Sequence, residues 1–345
     1  MANAGHYGVA GVSGARTAGT TDVPNCVIKA AERSFRRNAA RPSASQSVPK
    51  LGVYLIVSKG YDGDEIRDPH RMTLPPQSSP GALSAWDAVL TSLCHLQRVL
   101  PDAVAVGGTA SALYAGHRLS FDHDHVLPDL RVRFDEVLAD LEAVAGWKTA
   151  RIRRPHLILG SLDGVETGVR QLRRVQPLET TLMRAGAHEV RLPTLQEILR
   201  IKAFLCLDRN ATRDYLDLAA LTAHQGVSAA TAALATMDEL YPQKNGDPWA
   251  VRTQLIKQLA DPRPYDLDGI NLAEYKGIKP PLDQWGNVAA VCAGLSEKLV
   301  DEFTAILNAD TSPEAEAARH SLANWRDAHA RGERPALFPL PGLKT

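Results

Sequence analysis

The chain has 345 residues with 39 Lys plus Arg, 39 Asp plus Glu, and a formal net charge of zero. That length suits about two domains, and zero net charge excludes a histone-like or polybasic protein while leaving room for a local basic stripe. A 44% hydrophobic and 23% charged composition is ordinary globular usage, not wholesale disorder.

In chain order, residues 1–82 read as a largely irregular extension. It is punctuated by Gly11-Val-Ser-Gly14, Pro42-Ser-Ala-Ser45 and Pro75-Pro-Gln-Ser-Ser-Pro80. One helical stretch, Pro24–Asn38, and one strand-like run, Leu51–Val57, interrupt it. An upstream-extended gene start fits the same composition. Residues 1–20 lack the apolar segment of a secretory signal, and no run of about 18 apolar residues suggests a membrane span. Cys26, Cys94, Cys206 and Cys292 are scattered without C-x-x-C spacing, the pattern of free thiols in a reducing cytoplasm.

Residues 83–193 read as a mixed α/β domain. Leu83, Trp86, Val89, Leu90, Leu93, Leu96 and Leu100 follow helical spacing. A short strand, Ala103–Val106, runs into Gly107-Gly108-Thr109 and a small-residue helix to Ala115. Phe121–Leu127 reads as a strand and Leu130–Ala145 as an amphipathic helix. His156–Leu162 and Val165–Leu172 form a hairpin around Asp163-Gly164, and Glu189–Leu192 is a short strand. Residues 194–345 read as all-helical. Helices are expected from Thr194 to Asp208, Thr212 to His224, Ser228 to Leu240, Trp249 to Leu259, Pro281 to Ala309 and Ser312 to Arg331.

The chemistry concentrates between Val106 and His125. A strand ends in Gly-Gly-Thr, a short helix follows, and the next strand opens with Asp122-x-Asp124. Residues i and i+2 of a strand share a face, so the two carboxylates converge as ligands for a divalent ion, Mg2+ or Mn2+. Glycines followed by a helix N-terminus offer backbone N–H groups to a phosphate. Together these are what phosphoryl or nucleotidyl transfer requires.

This stretch resembles the nucleotidyltransferase superfamily, and more narrowly the AbiEii/AbiGii abortive-infection toxin family. The likeness rests on Gly107-Gly108-Thr109-Ala110, Gly116-His117-Arg118-x-Ser120 and Asp122-x-Asp124. It continues in Lys202-Ala-Phe-Leu-Cys-Leu-Asp-Arg209 followed by Arg213-Asp214-Tyr-Leu-Asp217-Leu, and in Tyr275-Lys-Gly-Ile-Lys-Pro-Pro281 ahead of Trp285. It covers about residues 84 to 300. His123 and His125 stand where the family usually has apolar residues, and Thr109 replaces the usual Ser.

The resemblance implies an α/β fold: a small mixed-sheet nucleotidyltransferase core followed by an all-helical C-terminal domain. It implies Asp122 and Asp124 as metal ligands, and Gly107, Gly108, Thr109, Arg118 and Ser120 as NTP-binding residues. Lys202 is expected on phosphate, with a snorkelling stem as its alternative. Arg118 suits phosphate or a structural pairing with the aspartates. Asp214 is expected to face the cleft, with Asp217 near the same face. Glu166 is preferred to Asp163 as a third, proton-accepting carboxylate. His123 and His125 are read as packed histidines rather than zinc ligands. The implied activity is Mg2+-dependent transfer of a nucleoside monophosphate from an NTP to an acceptor, with tRNA the expected acceptor. The setting would be a bacterial toxin–antitoxin pair with a cognate antitoxin protein. A small-molecule nucleotidyltransferase and a non-catalytic binding protein on the same fold are the alternatives. Seven basic and two acidic residues between Lys148 and Arg174 give that stretch a net charge of +5. Arg151, Arg153, Arg154, Arg170, Arg173 and Arg174 are the expected RNA contacts.

Overall fold

The computed structural model describes residues 80–174, 176–241, 251–309 and 311–333. The readings made on residues 1–79 lie outside the described residues. The described residues divide into two compact units, one within 80–305 and one from 306 onward.

In the first unit, helix α1 (Pro80–Val99) leads into β1 (Val104–Val106), α2 (Gly107–Ala115) and β2 (Asp122–Leu127). Then come α3 (Phe134–Glu142), β3 (Trp147–Arg153), β4 (Leu157–Leu162) and β5 (Val165–Gln171). These strands form one five-stranded sheet in the order β1-β2-β5-β4-β3. Only β2 and β5 run parallel, so the sheet is mixed. One face packs on α1 and α3: Leu96, Leu100, Phe134, Val137 and Leu141 meet Leu127, Ile158, Leu162 and Val169. Burying that face is the main driving force for the domain.

A two-stranded hairpin follows, β6 (Thr180–Ala185) and β7 (His188–Pro193). The Gln97 carboxamide joins the two sheets. Its Nε2 donates to the carbonyls of Ala103 (3.1 Å) and Arg191 (2.8 Å), and its Oε1 accepts from Arg191 N (2.9 Å).

Helices then take over: α4 (Leu195–Asp208), α5 (Thr212–Gln225), α6 (Val227–Leu234), α7 (Met237–Leu240), α8 (Val251–Ala260) and α9 (Trp285–Asn308). Thr194 caps α4 by accepting from Glu197 N. α5 is buried nearly all round, with Tyr215, Leu216, Leu218, Ala219 and Leu221 in the core. In the second unit, Ser312 caps α10 (Pro313–Ala330) by accepting from Ala315 N.

Several elements differ from expectation: the helix expected over Ser228–Leu240 is two, α6 and α7, and the one expected from Pro281 begins at Trp285. The sequence reading has no β3, because a bulge between Thr149 and Arg151 breaks the period of two that marks a strand. It also has no β6, whose Thr-Thr-Leu-Met-Arg-Ala shows no clean alternation. The helix expected from Leu130 begins only at Phe134, after turns at 129–133. Among the described residues, no helix is long and apolar enough to cross a membrane.

Candidate active site

The site is built on the sheet face opposite the core. Along β2, His123, His125 and Leu127 point inward while Asp122, Asp124 and Val126 point outward, so the burial alternates residue by residue. Two hydroxyls fix Asp122. Ser120 Oγ donates to its Oδ1 at 2.7 Å, and buried Thr109 donates to its backbone carbonyl.

The Gly107-Gly108 turn lies against this pair. Gly107 has φ +77°, and a Cβ on it would stand 3.6 Å from Asp124 Oδ2. At Gly108 a Cβ would meet Arg118 Nη2 at 2.5 Å and Ser120 Oγ at 2.8 Å. Only glycine lets Arg118 and Ser120 pass so close. Among the described residues no side chain caps α2, whose N-cap position is Val106, so the backbone N–H groups of its first turn have no side-chain acceptor there.

Strand register extends the face. Asp122 pairs with Glu166 on β5, which pairs with Ser161 on β4, which pairs with Lys148 on β3. The next row is Asp124, Gly168, Leu159 and Arg151; the third is Val126, Arg170, Leu157 and Arg153. Glu166 is thus exposed beside Asp122, whereas Asp163 sits in the turn at φ 54° and pairs with His95. The bulge after Thr149 keeps Lys148, Arg151 and Arg153 on one face. This basic column lies about 14 Å from the acidic one, three strand spacings away.

The six arginines expected on RNA separate into groups. Arg151 and Arg153 are exposed on the open face. Arg170 reaches Asp124, with Nε 3.4 Å from Oδ1. Arg154 pairs with Asp135 and lies over the Phe134 ring, and Arg173 pairs with Asp208. Arg174 corrects the expectation: its side chain is 1% exposed and ion-paired to the equally buried Glu197. A guanidinium committed there is not offered to a phosphate.

Beside the acidic pair lies a buried charge cluster, whose Arg118 and Arg209 lie near enough to interact electrostatically with Asp122 and Asp124 respectively. Asp217 holds Arg118 through both oxygens, at 2.9 and 3.1 Å, accepts from His117 Nε2 at 2.8 Å, and pairs with Lys202 Nζ at 2.7 Å. Asp214 pairs with Lys202 at 3.4 Å and takes two hydrogen bonds from Arg209, at 2.7 and 3.0 Å. Burial would raise the Asp217 carboxyl, but Arg118, Lys202 and His117 hold it well below its usual range. Burial pushes His117 down, against the pull of Asp217.

This cluster places several expected residues differently. Lys202, expected on phosphate, is 1% exposed and turned onto Asp214 and Asp217; of the two roles that Arg118 suits it takes the structural pairing, 7% exposed and held by Asp217. Asp214 was expected in the cleft and is fully buried between two cations. Thr109 and Ser120, expected on NTP, spend their hydroxyls on Asp122. The physical reason is common to all: a charge or hydroxyl taken from water must be paired, and these find one another first. Sequence reasoning gave no role to Arg209. It is a third exposed, and Asp124 is among the charges that raise its pKa. The signal was there, in the arginine that closes the Lys202 motif.

His123 is packed, between Ser92 Oγ at 3.0 Å and Thr167 Oγ1 at 2.9 Å, and burial lowers its pKa to about 4. His125 is fully buried beside it, neither ring nitrogen hydrogen-bonded among the described residues, and burial holds its pKa well below the usual value.

The residues present fit a magnesium-like ion. Asp122 and Asp124 supply hard oxygen donors on one face, and Gly168 leaves room beside Asp124, since a Cβ there would stand 3.2 Å from Oδ1. Among the described residues no three His, Cys, Asp or Glu form a ready cage. Mg2+ needs none, because it usually takes one or two carboxylates and completes its shell with water and substrate phosphates.

No protein-family model matches the chain. It is 41% identical over 97 residues to the heme uptake protein MmpL11 of Mycobacterium tuberculosis, a match covering 28% of this chain and 10% of that protein. It is 29% identical over 127 residues to the mycolic acid-containing lipids exporter MmpL11 of Mycolicibacterium smegmatis, covering 36% and 13%. The chain therefore spans about a tenth of the length of the curated relatives it matches. A crystal structure of a "putative nucleotidyltransferase" from H. pylori aligns over 65% of this chain and 98% of its own. Its sequence identity is 15% and its TM-score 0.38.

Proposed function

We propose that the chain is a nucleotidyltransferase that moves a nucleoside monophosphate from an NTP to an acceptor hydroxyl. One observation carries the reading. Asp122, Asp124 and Glu166 share the open face of the sheet beside the Gly107-Gly108 turn and the uncapped start of α2.

Asp122 and Asp124 would hold Mg2+ or Mn2+, which when bound neutralises the triphosphate and draws charge from the α-phosphorus. The backbone of Gly107 and Gly108 cradles the phosphates. Ser120 and Thr109 position Asp122 rather than touch substrate. The acceptor oxygen bonds to the α-phosphorus, the bond to the bridging oxygen breaks, pyrophosphate leaves, and Glu166 takes the hydroxyl proton.

The basic column of Lys148, Arg151 and Arg153 supports a polynucleotide acceptor, entering across β3 toward the carboxylates. The motif resemblance supports tRNA as that acceptor, and the toxin of a bacterial toxin–antitoxin or phage-defence system, with a cognate antitoxin partner, as the setting. The test is incubation of the protein with each labelled NTP, Mg2+ and total RNA, followed by gel analysis. Label transfer to tRNA-sized RNA, abolished by EDTA, is expected. No transfer from any NTP would overturn the reading, and labelling of small hydroxyl compounds alone would replace the acceptor.

A further inference from the structure

The segment after α8 returns to the acidic face as a strap. Lys276 O accepts from Leu119 N at 2.8 Å, and Lys279 N donates to His117 O at 3.0 Å. Between these bonds Gly277 turns at φ +71°, where a Cβ would stand 3.2 Å from Leu119 Cγ. The Tyr275 ring lies under the Arg118 guanidinium, 5.6 Å from its centroid. The strap therefore grips the loop that delivers Phe121 and Asp122.

An exposed cation of the strap, Lys276, sits next to the chemistry. Lys276 Nζ is 4.8 Å from the centroid of the Phe121 ring. Among the described residues it makes no ion pair, unlike Lys202, Arg118 and Arg209, all committed to aspartates. Phe121 immediately precedes Asp122, and extended chain rises about 3.3 Å per residue, so this ammonium lies within a triphosphate's reach of the Asp122 carboxylate. A cation held on an aromatic ring keeps its N–H groups for an anion.

We propose that Lys276 is a substrate-binding residue that takes the triphosphate of the incoming NTP at the Asp122 end of β2. The proposal rests on the nucleotidyl-transfer reading and assigns that site a free cation. The arginines of β3 lie toward the other end of the face, so donor and acceptor phosphates meet separate charges on either side of the carboxylates.

The test is calorimetric binding of a non-hydrolysable α,β-methylene NTP and of the matching NMP, with Mg2+, to the full chain. Lys276→Met should weaken the NTP analogue about tenfold, the scale of one charge-assisted hydrogen bond to phosphate, leaving NMP affinity and Tm unchanged. Lys276→Arg should stay within about threefold of the unaltered chain, because it restores the charge. Unchanged NTP affinity in Lys276→Met, or equal loss for NTP and NMP, overturns the assignment while leaving nucleotidyl transfer standing. If the unaltered chain binds no NTP, the parent reading falls and this one with it.

Discussion

Asp217 grips the Arg118 guanidinium through Nε–Oδ1 at 2.9 Å and Nη2–Oδ2 at 3.1 Å, tying α5 to the loop that leads into β2. The same carboxylate neutralises Lys202, so one aspartate organises two buried cations.

Removing it should therefore unfold rather than merely disable. Asp217→Asn leaves Arg118 and Lys202 short of a counter-charge, and breaking such a buried pair costs about 3–5 kcal/mol. Denaturant melts should show that loss. Because the Asp217 carboxyl is held low in the fold, its stabilisation is present above the unfolded pKa and disappears as pH falls through the depressed folded value, below about 4. An Asp217→Asn chain as stable as the parent would contradict the cluster.

Asp122→Asn and Asp124→Asn should behave oppositely. Both side chains stand on the open face, so Tm should hardly change. NTP transfer should fall at least about 10²-fold, the scale of losing a principal electrostatic stabiliser. Near-normal transfer in Asp122→Asn would remove it from the site.

Gly108→Ala tests the crowding at the turn. The added methyl meets Arg118 Nη2 and Ser120 Oγ, and Arg118 cannot yield easily while Asp217 holds it. Overpacking of this kind costs about 1–3 kcal/mol. Transfer should fall as well, since Ser120 is what steadies Asp122. A variant with parental Tm and turnover would show that the turn has slack.

The two histidines behind the carboxylates should make stability depend on mildly acid pH. Burial lowers the pKa of His123 to about 4 and holds that of His125 well below its usual value. Their neutral forms are stabilised in the fold, so stability is full above the unfolded value near 6.5 and is lost as pH falls toward 4. For His123 the full effect is on the order of 3 kcal/mol. His125→Leu removes two unpartnered ring nitrogens and should raise Tm more at pH 5.5 than at pH 8. Equal melting curves at both pH values would rule out that account.

Charge reversal at Arg151 and Arg153 should weaken RNA binding and lower the salt slope by about one unit per lost contact, sparing NTP affinity. Arg174→Ala should instead lower Tm, because it leaves Glu197 with one cation fewer. Filter binding across a salt series separates the two behaviours.

The alternating core was legible in the sequence because side-chain period follows backbone period. Asp122 and Asp124 fell on one face, His123 and His125 on the other, and the Asp163-Gly164 hairpin formed where its turn residues stood. Helix α4 began at its Thr cap. What could not be read was pairing across long separations. Nothing local says that Arg118 will meet Asp217, 99 residues away, or that Arg174 will meet Glu197. Residue type announces charge, but only packing decides whether that charge faces solvent or a counter-ion. β3 escaped for a related reason: its bulge resets the period inside the strand.

The Gln97 carboxamide has a consequence beyond its three hydrogen bonds. By donating to Ala103 and Arg191 and accepting from Arg191, it stands in for a strand residue at the seam between β1 and β7. Unpaired backbone at such a seam would invite an extended segment of another chain to add on. Gln97 occupies that opening, while the opposite margin, β3, carries Lys148, Arg151 and Arg153, charges that repel a second copy of itself. The sheet is thus closed to its own kind at one margin by a side chain and at the other by like charge, so the residues that would attract RNA also keep the protein from polymerising through its edge.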